Sequence, residues 1–356
     1  MVHCSRRETG AWSEDAVFRS LDRTVAKHLA SGAFTGVYAY ENGAQSAFDT
    51  SKQLKQLCIY DKPTAYWKAA HDLFLEEAEL EPQWAETLQG YQRSEAILAR
   101  RDAELALADV VIVPSVFAKR TLERYTHLRS RIAVVPYGAP THPPSLLDLK
   151  RTESSTLRIL YVGPLTQRRG LSYLFAAVRQ LAGAVELTVA GPRPALSCAA
   201  LDNELSQVKY VNPGSHQDTL RLMAQSDVLV LPSLFENFGL ELLDAMALGL
   251  PVIATPNSAA PDLISDGVEG FIVPIRSAQA IAERLHLLLR DPDQRVEMGQ
   301  RALSRVREFS WRRYETTLGS RVSETLAFAG QGTCSSFCRA QPDPELPGVV
   351  PRGTAE

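Results

Sequence analysis

The sequence predicts an α/β protein of two lobes, each built on a parallel β-sheet. Three observations carry that reading. Short runs rich in Val and Ile alternate with longer segments whose apolar residues recur every three or four positions, the rhythm of successive βαβ units. A stretch rich in Pro, Ser and Thr, "GAPTHPPSLLDLKRTESST" at 138–156, breaks that rhythm once, as a linker would. Nearly every apolar run in the second half ends in Gly, Pro or Ser, so the chain turns sharply at the edge where open α/β sheets bind ligands.

Taken in order, the chain opens with "RRETGAWSEDAVFRSLDRTVAKHLASGAFTG", which contains no evident strand. Strands are expected at "GVYAYE" (36–41), "QLCIYD" (56–61), "DVVIVPS" (109–115) and "IAVVPYG" (132–138). Helical spacing marks "GAQSAFDTSKQL", "AYWKAAHDLFLEEAEL" and "SEAILARRDAELALA" between them. The second half repeats the pattern with "LRILYVG" (157–163), "VELTVAG" (185–191), "VKYVNPG" (208–214), "DVLVLPS" (227–233), "PVIAT" (251–255) and "GFIVP" (270–274). "HQDTLRLMAQ" and "AQAIAERLHLLLR" are the clearest helices among them. The expected division is a first lobe at 1–140, a linker at 141–156, and a second lobe at 157–312.

Composition narrows the function classes. With 356 residues and 45% hydrophobic content, the chain can fill two cores. A net charge of −3 without a basic stripe argues against nucleic acid as a partner. Five scattered cysteines (Cys4, Cys58, Cys198, Cys334, Cys338) fit a reducing cytoplasm better than a disulfide framework. No run reaches the ~18 apolar residues of a membrane span, and the first residues lack the apolar core of a signal peptide. A cytoplasmic protein is expected, with peripheral membrane contact left open.

The segment "LPSLFENFGLELLDAMALGLPVIAT" (231–255) runs strand, loop, helix, with the helix expected from Leu240 to a stop at Gly249. Gly239 permits a positive φ or close approach of a ligand, and the amides around Phe238, Gly239 and Leu240 would face an anion or sugar hydroxyls at the helix N-terminus. Glu241 is explained by the helix dipole alone. Glu236, on the loop before the helix, is not. A second loop, in "YVGPLTQRRGLSYLFAAVRQL" (161–181), joins Gly163 to two guanidinium groups, Arg168 and Arg169, ahead of a helix after Gly170. That combination suits a diphosphate, whereas two arginines on a loop would otherwise be solvated surface.

Together the two segments resemble the retaining glycosyltransferases of the GT-B fold, specifically family 4 with its E-x7-E signature. The resemblance runs from about residue 36 to 328. It rests on "GPLTQRRG", "VAGPRP", "SDVLVLPSLFENFGLELLDAMALGLPVIAT" and "DGVEGFIVP", and in the first lobe on "ADVVIVPSVFAKRTL" and "VVPYGAP". It implies that Glu236 bonds the hydroxyls of a donor sugar and Asp244, one methylene shorter than the family's glutamate, the ribose of its nucleotide. Arg169 takes the place of a diphosphate-binding lysine, and Gly163, Arg168, Phe238, Gly239 and Leu240 complete the donor site. Residues 313–328 are similar to the closing helices that return to the first lobe, and 329–356 reads as a disordered tail. Against the family, the first lobe is expected to lack its opening βαβ unit, so either the start lies upstream of Met1 or that unit is lost.

The reaction implied is transfer of a sugar, with retention, from a UDP- or GDP-sugar to a hydroxyl of a glycan, lipid-linked or small-molecule acceptor. Glu236 and Arg169 are the expected catalytic pair, with no cofactor and no metal. Asp291 and Asp293 in "DPD" fit a helix start at Pro292. Tyr60 and Asp61 are candidates for the acceptor side, where many members carry a histidine; Asp61 serves equally as a helix N-cap. Three other readings compete: a sugar phosphorylase, whose only lysine candidate is Lys209 in an expected strand, a nucleotide-sugar epimerase, and a degenerate binding or scaffold protein.

Overall fold

The computed structural model describes residues 13–91, 94–140, 156–181 and 183–329. Most of the expected linker and the tail lie outside them. The first lobe begins with helix α1 (Glu14–Ser31), capped by the Ser13 hydroxyl on the amide of Ala16 at 3.2 Å. Strands β1 (Gly36–Tyr40), β2 (Leu57–Asp61), β3 (Val110–Val113) and β4 (Arg131–Val134) follow, with α2 (Gln45–Gln53), α3 (Trp67–Leu80), α4 (Glu95–Leu107) and α5 (Val116–Tyr125) between them. All four strands are parallel and lie in the order β1-β2-β3-β4, which leaves β1 at an edge. Buried Asp22 of α1 accepts from the amides of Ser46 (2.7 Å) and Ala47 (2.8 Å), closing the open N-terminus of α2.

The second lobe holds β5 (Leu157–Val162), β6 (Val185–Ala190), β7 (Lys209–Val211), β8 (Val228–Leu231), β9 (Val252–Ala254) and β10 (Gly270–Ile272), all parallel, in the order β10-β9-β8-β5-β6-β7. Its helices are α6 (Leu171–Arg179), α7 (Ala199–Leu205), α8 (His216–Ala224), α9 (Leu240–Ala247), α10 (Ala260–Leu263), α11 (Ala278–Arg290) and α12 (Pro292–Val306). The central strands β8 and β9 read as unbroken apolar runs because both their faces are covered. Leu160, Val162, Leu229 and Leu231 pack with α9, while Leu157, Ile159, Tyr161, Val228 and Val230 pack on the opposite face with α6 and α11. Asp291 accepts from the amide of Gln294 (2.8 Å) as the cap of α12, the role expected of it. Lys209 opens β7 and is exposed.

One helix, α13 (Trp311–Ala329), returns to the first lobe where closing helices were expected. Its Tyr314, Leu318 and Val322 lie on Ile59, Val110, Ile112 and Ala133 of the first sheet. A less visible tie runs the other way. The 3-10 segment Pro82–Tyr91, which carries no periodic signal, sends Trp84 into the second lobe's core, stacked on Phe175 with ring centroids 6.0 Å apart.

Candidate functional site

In the second sheet the strands after β5 extend to one side and β8 to β10 to the other, so strand order reverses between β5 and β8. The loops leaving such a pair diverge and open a crevice at the strands' C-terminal ends. Both loops singled out from the sequence leave these strands. The first runs from Gly163 through a 3-10 turn, Gln167–Arg169, to Gly170; the second from Pro232 to Gly239.

The loops are joined atom to atom. The carbonyl of Arg168 accepts from the amides of Leu234 (2.9 Å) and Phe235 (3.3 Å), and its Nη1 donates to the Phe235 carbonyl at 2.9 Å. Arg168 Nη1 and Arg169 Nη1 converge on Oε2 of Glu236, at 3.1 and 2.8 Å. Arg169 Nη2 reaches Glu241 at 3.1 Å. All three of Arg168, Arg169 and Glu236 are buried. Gly170 makes this approach possible: its φ is +70°, and a Cβ there would fall 2.0 Å from the Pro232 carbonyl oxygen. Gly163 lies under the Arg169 guanidinium, where a Cβ would sit 3.3 Å from Cζ.

Gly239, at φ +90°, turns the chain into α9, and Leu240 beside it is exposed. The first amides of α9 have no carbonyl of the helix to bond and carry the positive end of its dipole. Asp244 sits one turn in and is buried. Burial raises its carboxyl to about 6; His216, with Nε2 3.7 Å away, pulls against that shift, and Glu241 adds to it. The structure thus gathers Gly163, Arg168, Arg169, Glu236, Phe238, Gly239, Leu240 and Asp244 around one crevice. Its chemistry suits a ligand with anionic oxygens near the guanidinium groups and the helix terminus, and hydroxyls near the carboxylates.

The first lobe meets this site directly. Asn237 accepts from the Ser115 hydroxyl at its carbonyl (2.8 Å) and from the Ala65 amide at Oδ1 (2.9 Å). Phe235 sets its edge against Phe74 and Phe117, and Phe238 lies 5.0 Å from the ring of Tyr137. Asp262 of α10 accepts from the amide of Val116, the first residue of α5, at 2.9 Å.

The two acceptor-side candidates part company. Tyr60 is fully buried in the first lobe's core, its hydroxyl donating to Glu104 at 2.7 Å, so it does not line the crevice. Neighbouring residues on a strand face opposite ways, and Asp61 faces the other side, accepting from the Tyr38 hydroxyl at 2.6 Å. Asp61 caps no helix; α3 begins at Trp67, after Tyr66. Sequence reasoning missed Asn237, Asp262 and the buried Glu77 of α3, whose partners are remote in the chain.

Residues 150–305 match the family described as glycosyl transferases group 1. The chain carries a glycosyl transferases group 1 domain. Among curated relatives, D-inositol 3-phosphate glycosyltransferase of Corynebacterium aurimucosum is 28% identical over 255 residues, covering 64% of this chain and 61% of the relative. The amylovoran biosynthesis glycosyltransferase AmsK of Erwinia amylovora is 34% identical over 149 residues, 38% of this chain and 37% of that one. The chain therefore spans less than two thirds of the length of these relatives. In fold, the chain is similar to sucrose-phosphate synthase from Thermosynechococcus elongatus, with a TM-score of 0.67, 22% identity, and 90% of this chain and 82% of that chain covered. Anabaena HepE, solved in complex with UDP-glucose, gives 0.63 at 17% identity, with 87% and 82% covered. These likenesses establish the GT-B architecture of two parallel-sheet lobes. Among the described residues, no helix is long and apolar enough to cross a membrane.

Proposed function

We propose that the protein is a glycosyltransferase that moves a sugar, with retention at the anomeric carbon, from a UDP- or GDP-sugar to a hydroxyl acceptor in glycan or glycoconjugate synthesis. The observation that carries this reading is the convergence of Arg168 and Arg169 on Glu236 beside the open N-terminus of α9. Without donor, the carboxylates of Glu236 and Glu241 hold the two guanidinium groups in place. A bound diphosphate would take over those guanidinium groups, leaving Glu236 to accept hydroxyls of the donor sugar, and Asp244 would accept from the ribose.

In this reading the bond from the anomeric carbon to the diphosphate oxygen breaks as the bond to the acceptor oxygen forms on the same face. The departing diphosphate takes the acceptor's proton. Arg168, Arg169 and the α9 amides meet the charge that develops on the leaving group, and Glu236 holds the sugar in position. No nucleophile from the protein and no metal ion is required by this scheme.

Calorimetric titration with UDP, GDP and ADP, repeated on Glu236→Ala and Arg169→Ala, tests the reading. One nucleotide is expected to bind, and to bind far more weakly to Arg169→Ala. No binding of any of the three would favour a scaffold or degenerate binding protein. Conversion of the donor sugar without acceptor would favour an epimerase.

A further inference from the structure

The first lobe places a second group of side chains next to the donor crevice. Tyr38 and Tyr40 are two apart on edge strand β1, so they share a face; they are 41% and 49% exposed. Asp61 stands opposite Tyr40 in the β1–β2 register, and its Oδ2 holds the Tyr38 hydroxyl at 2.6 Å. From the other side come Tyr137, which follows β4, and Tyr314 of α13, with ring centroids 5.9 Å apart. Trp311, 47% exposed, meets Tyr314 edge-on at 5.5 Å. The group is continuous with the donor side, because Tyr137 lies 5.0 Å from Phe238, the residue before Gly239.

Its electrostatics have one sign. Burial and then Asp61 raise the Tyr314 hydroxyl; at Tyr38, Tyr40 and Tyr137 burial leads, and the charges acting on them push the same way. Asp61 itself is raised by burial, against the Tyr38 hydrogen bond and with Glu41. The lysine that follows it, Lys62, is turned inward and buried, its Nζ bound to Glu41 (2.5 Å) and Thr64 (3.1 Å). A phosphate placed among these tyrosines would meet the Asp61 carboxylate, with the neighbouring Lys62 ammonium already held by Glu41 and Thr64. An uncharged sugar would meet aromatic faces for its C–H surface, and phenol and carboxylate oxygens for its hydroxyls.

We propose that Tyr38, Tyr40, Asp61, Tyr137 and Tyr314 form the acceptor subsite, and that it takes an uncharged sugar unit rather than a phosphorylated acceptor. This rests on the transferase reading above. A carboxylate accepts several hydrogen bonds, so the Tyr38 hydroxyl does not exhaust Asp61, which orients the acceptor hydroxyl toward Phe238 and Gly239.

Saturation-transfer NMR on the full chain with UDP present tests this without requiring turnover. The probes are a panel of neutral methyl hexopyranosides, with D-inositol 3-phosphate and glucose 6-phosphate as charged counterparts. Saturation is expected on ring protons of at least one neutral glycoside, falling by about fivefold or more in Tyr40→Ala and reduced in Asp61→Asn, with none on the phosphates. Saturation of the phosphates as strong as that of the glycosides, no saturation of any glycoside, or an unchanged signal in Tyr40→Ala would overturn the subsite. UDP titrated into the same samples separates the two readings. Failure of the wild-type chain to bind UDP removes the transferase reading beneath the proposal, whereas UDP binding alongside any of those three results removes the subsite alone.

Discussion

The side-chain amide of Gln167 donates at 2.7 Å to the carboxylate of Glu77, a fully buried residue of α3 in the other lobe. The same carboxylate accepts from the Tyr173 hydroxyl at 3.0 Å and from Arg276 Nε at 2.7 Å. The backbone amide of Gln167 donates in turn to the Thr87 hydroxyl at 2.8 Å. Gln167 immediately precedes the two arginines of the crevice, so their loop is held by side chains of the first lobe.

Replacing Glu77 with Ala is expected to cost roughly 3–5 kcal/mol of stability, because it strips the inner partner from Arg276 and leaves Gln167 and Tyr173 without their acceptor. Glu77→Gln keeps one acceptor oxygen and should lose less. Urea unfolding of both variants, with nucleotide titration of whatever remains folded, checks this. Equal stability of Glu77→Ala and the wild type would refute it.

Arg169 faces Glu236 and Glu241 through two separate nitrogens. Its removal is expected to weaken nucleotide-diphosphate binding by about 30- to 100-fold, the order of a lost charge-assisted contact. Arg169→Lys keeps the charge but not the fork, and should fall in between. Calorimetry on the two variants gives the ranking.

Asp244, raised to about 6 by burial, gains its charge across the neutral range. Only the ionised form accepts at every lone pair, so nucleotide affinity should decline as pH falls from 7 to 5. Asp244→Asn has no such transition, and the difference between the two pH profiles, rather than either alone, isolates this group from the ligand's own titration. Parallel profiles would show that Asp244 does not bear on binding.

A stability effect of opposite direction is expected at Asp262. Burial raises its carboxyl to about 6, while the Val116 hydrogen bond and Arg120 act against the shift. Its folded-state value lies above the unfolded one, so its favourable contribution is complete below about pH 4 and is lost as pH rises through about 6. Asp262→Asn should therefore gain on the wild type by roughly 1–3 kcal/mol between pH 4 and 7. Thermal unfolding at a series of pH values measures it.

The candidate site of the second lobe was legible because its parts are local. Val and Ile runs ending in Gly, Pro or Ser mark β5 and β8, and the residues of interest sit in the loops directly after them. What brings the two loops together is the pairing of β5 with β8 in the sheet, which follows from topology rather than from either segment. Helix α1 also had readable signals, Ser13 ahead of Glu14 and Asp15, that the absence of a strand overshadowed. Tyr60 was misplaced for want of one step: on a strand it cannot share a face with Asp61. Glu77 could not be found that way. It lies in the charged run "LFLEEAEL", and its partners Gln167 and Arg276 are 90 and 199 residues away.

Trp84 reaches from the first lobe's stretch of chain into the core beneath α6. The seam in the sequence is therefore not the seam in the solid. A chimera cut at 141–156, pairing this second lobe with a first lobe from elsewhere, would leave an indole-sized hollow against Phe175 and strip Gln167 of Glu77 and Thr87. Exchange of the first lobe has to keep Glu77 and Trp84 with the second.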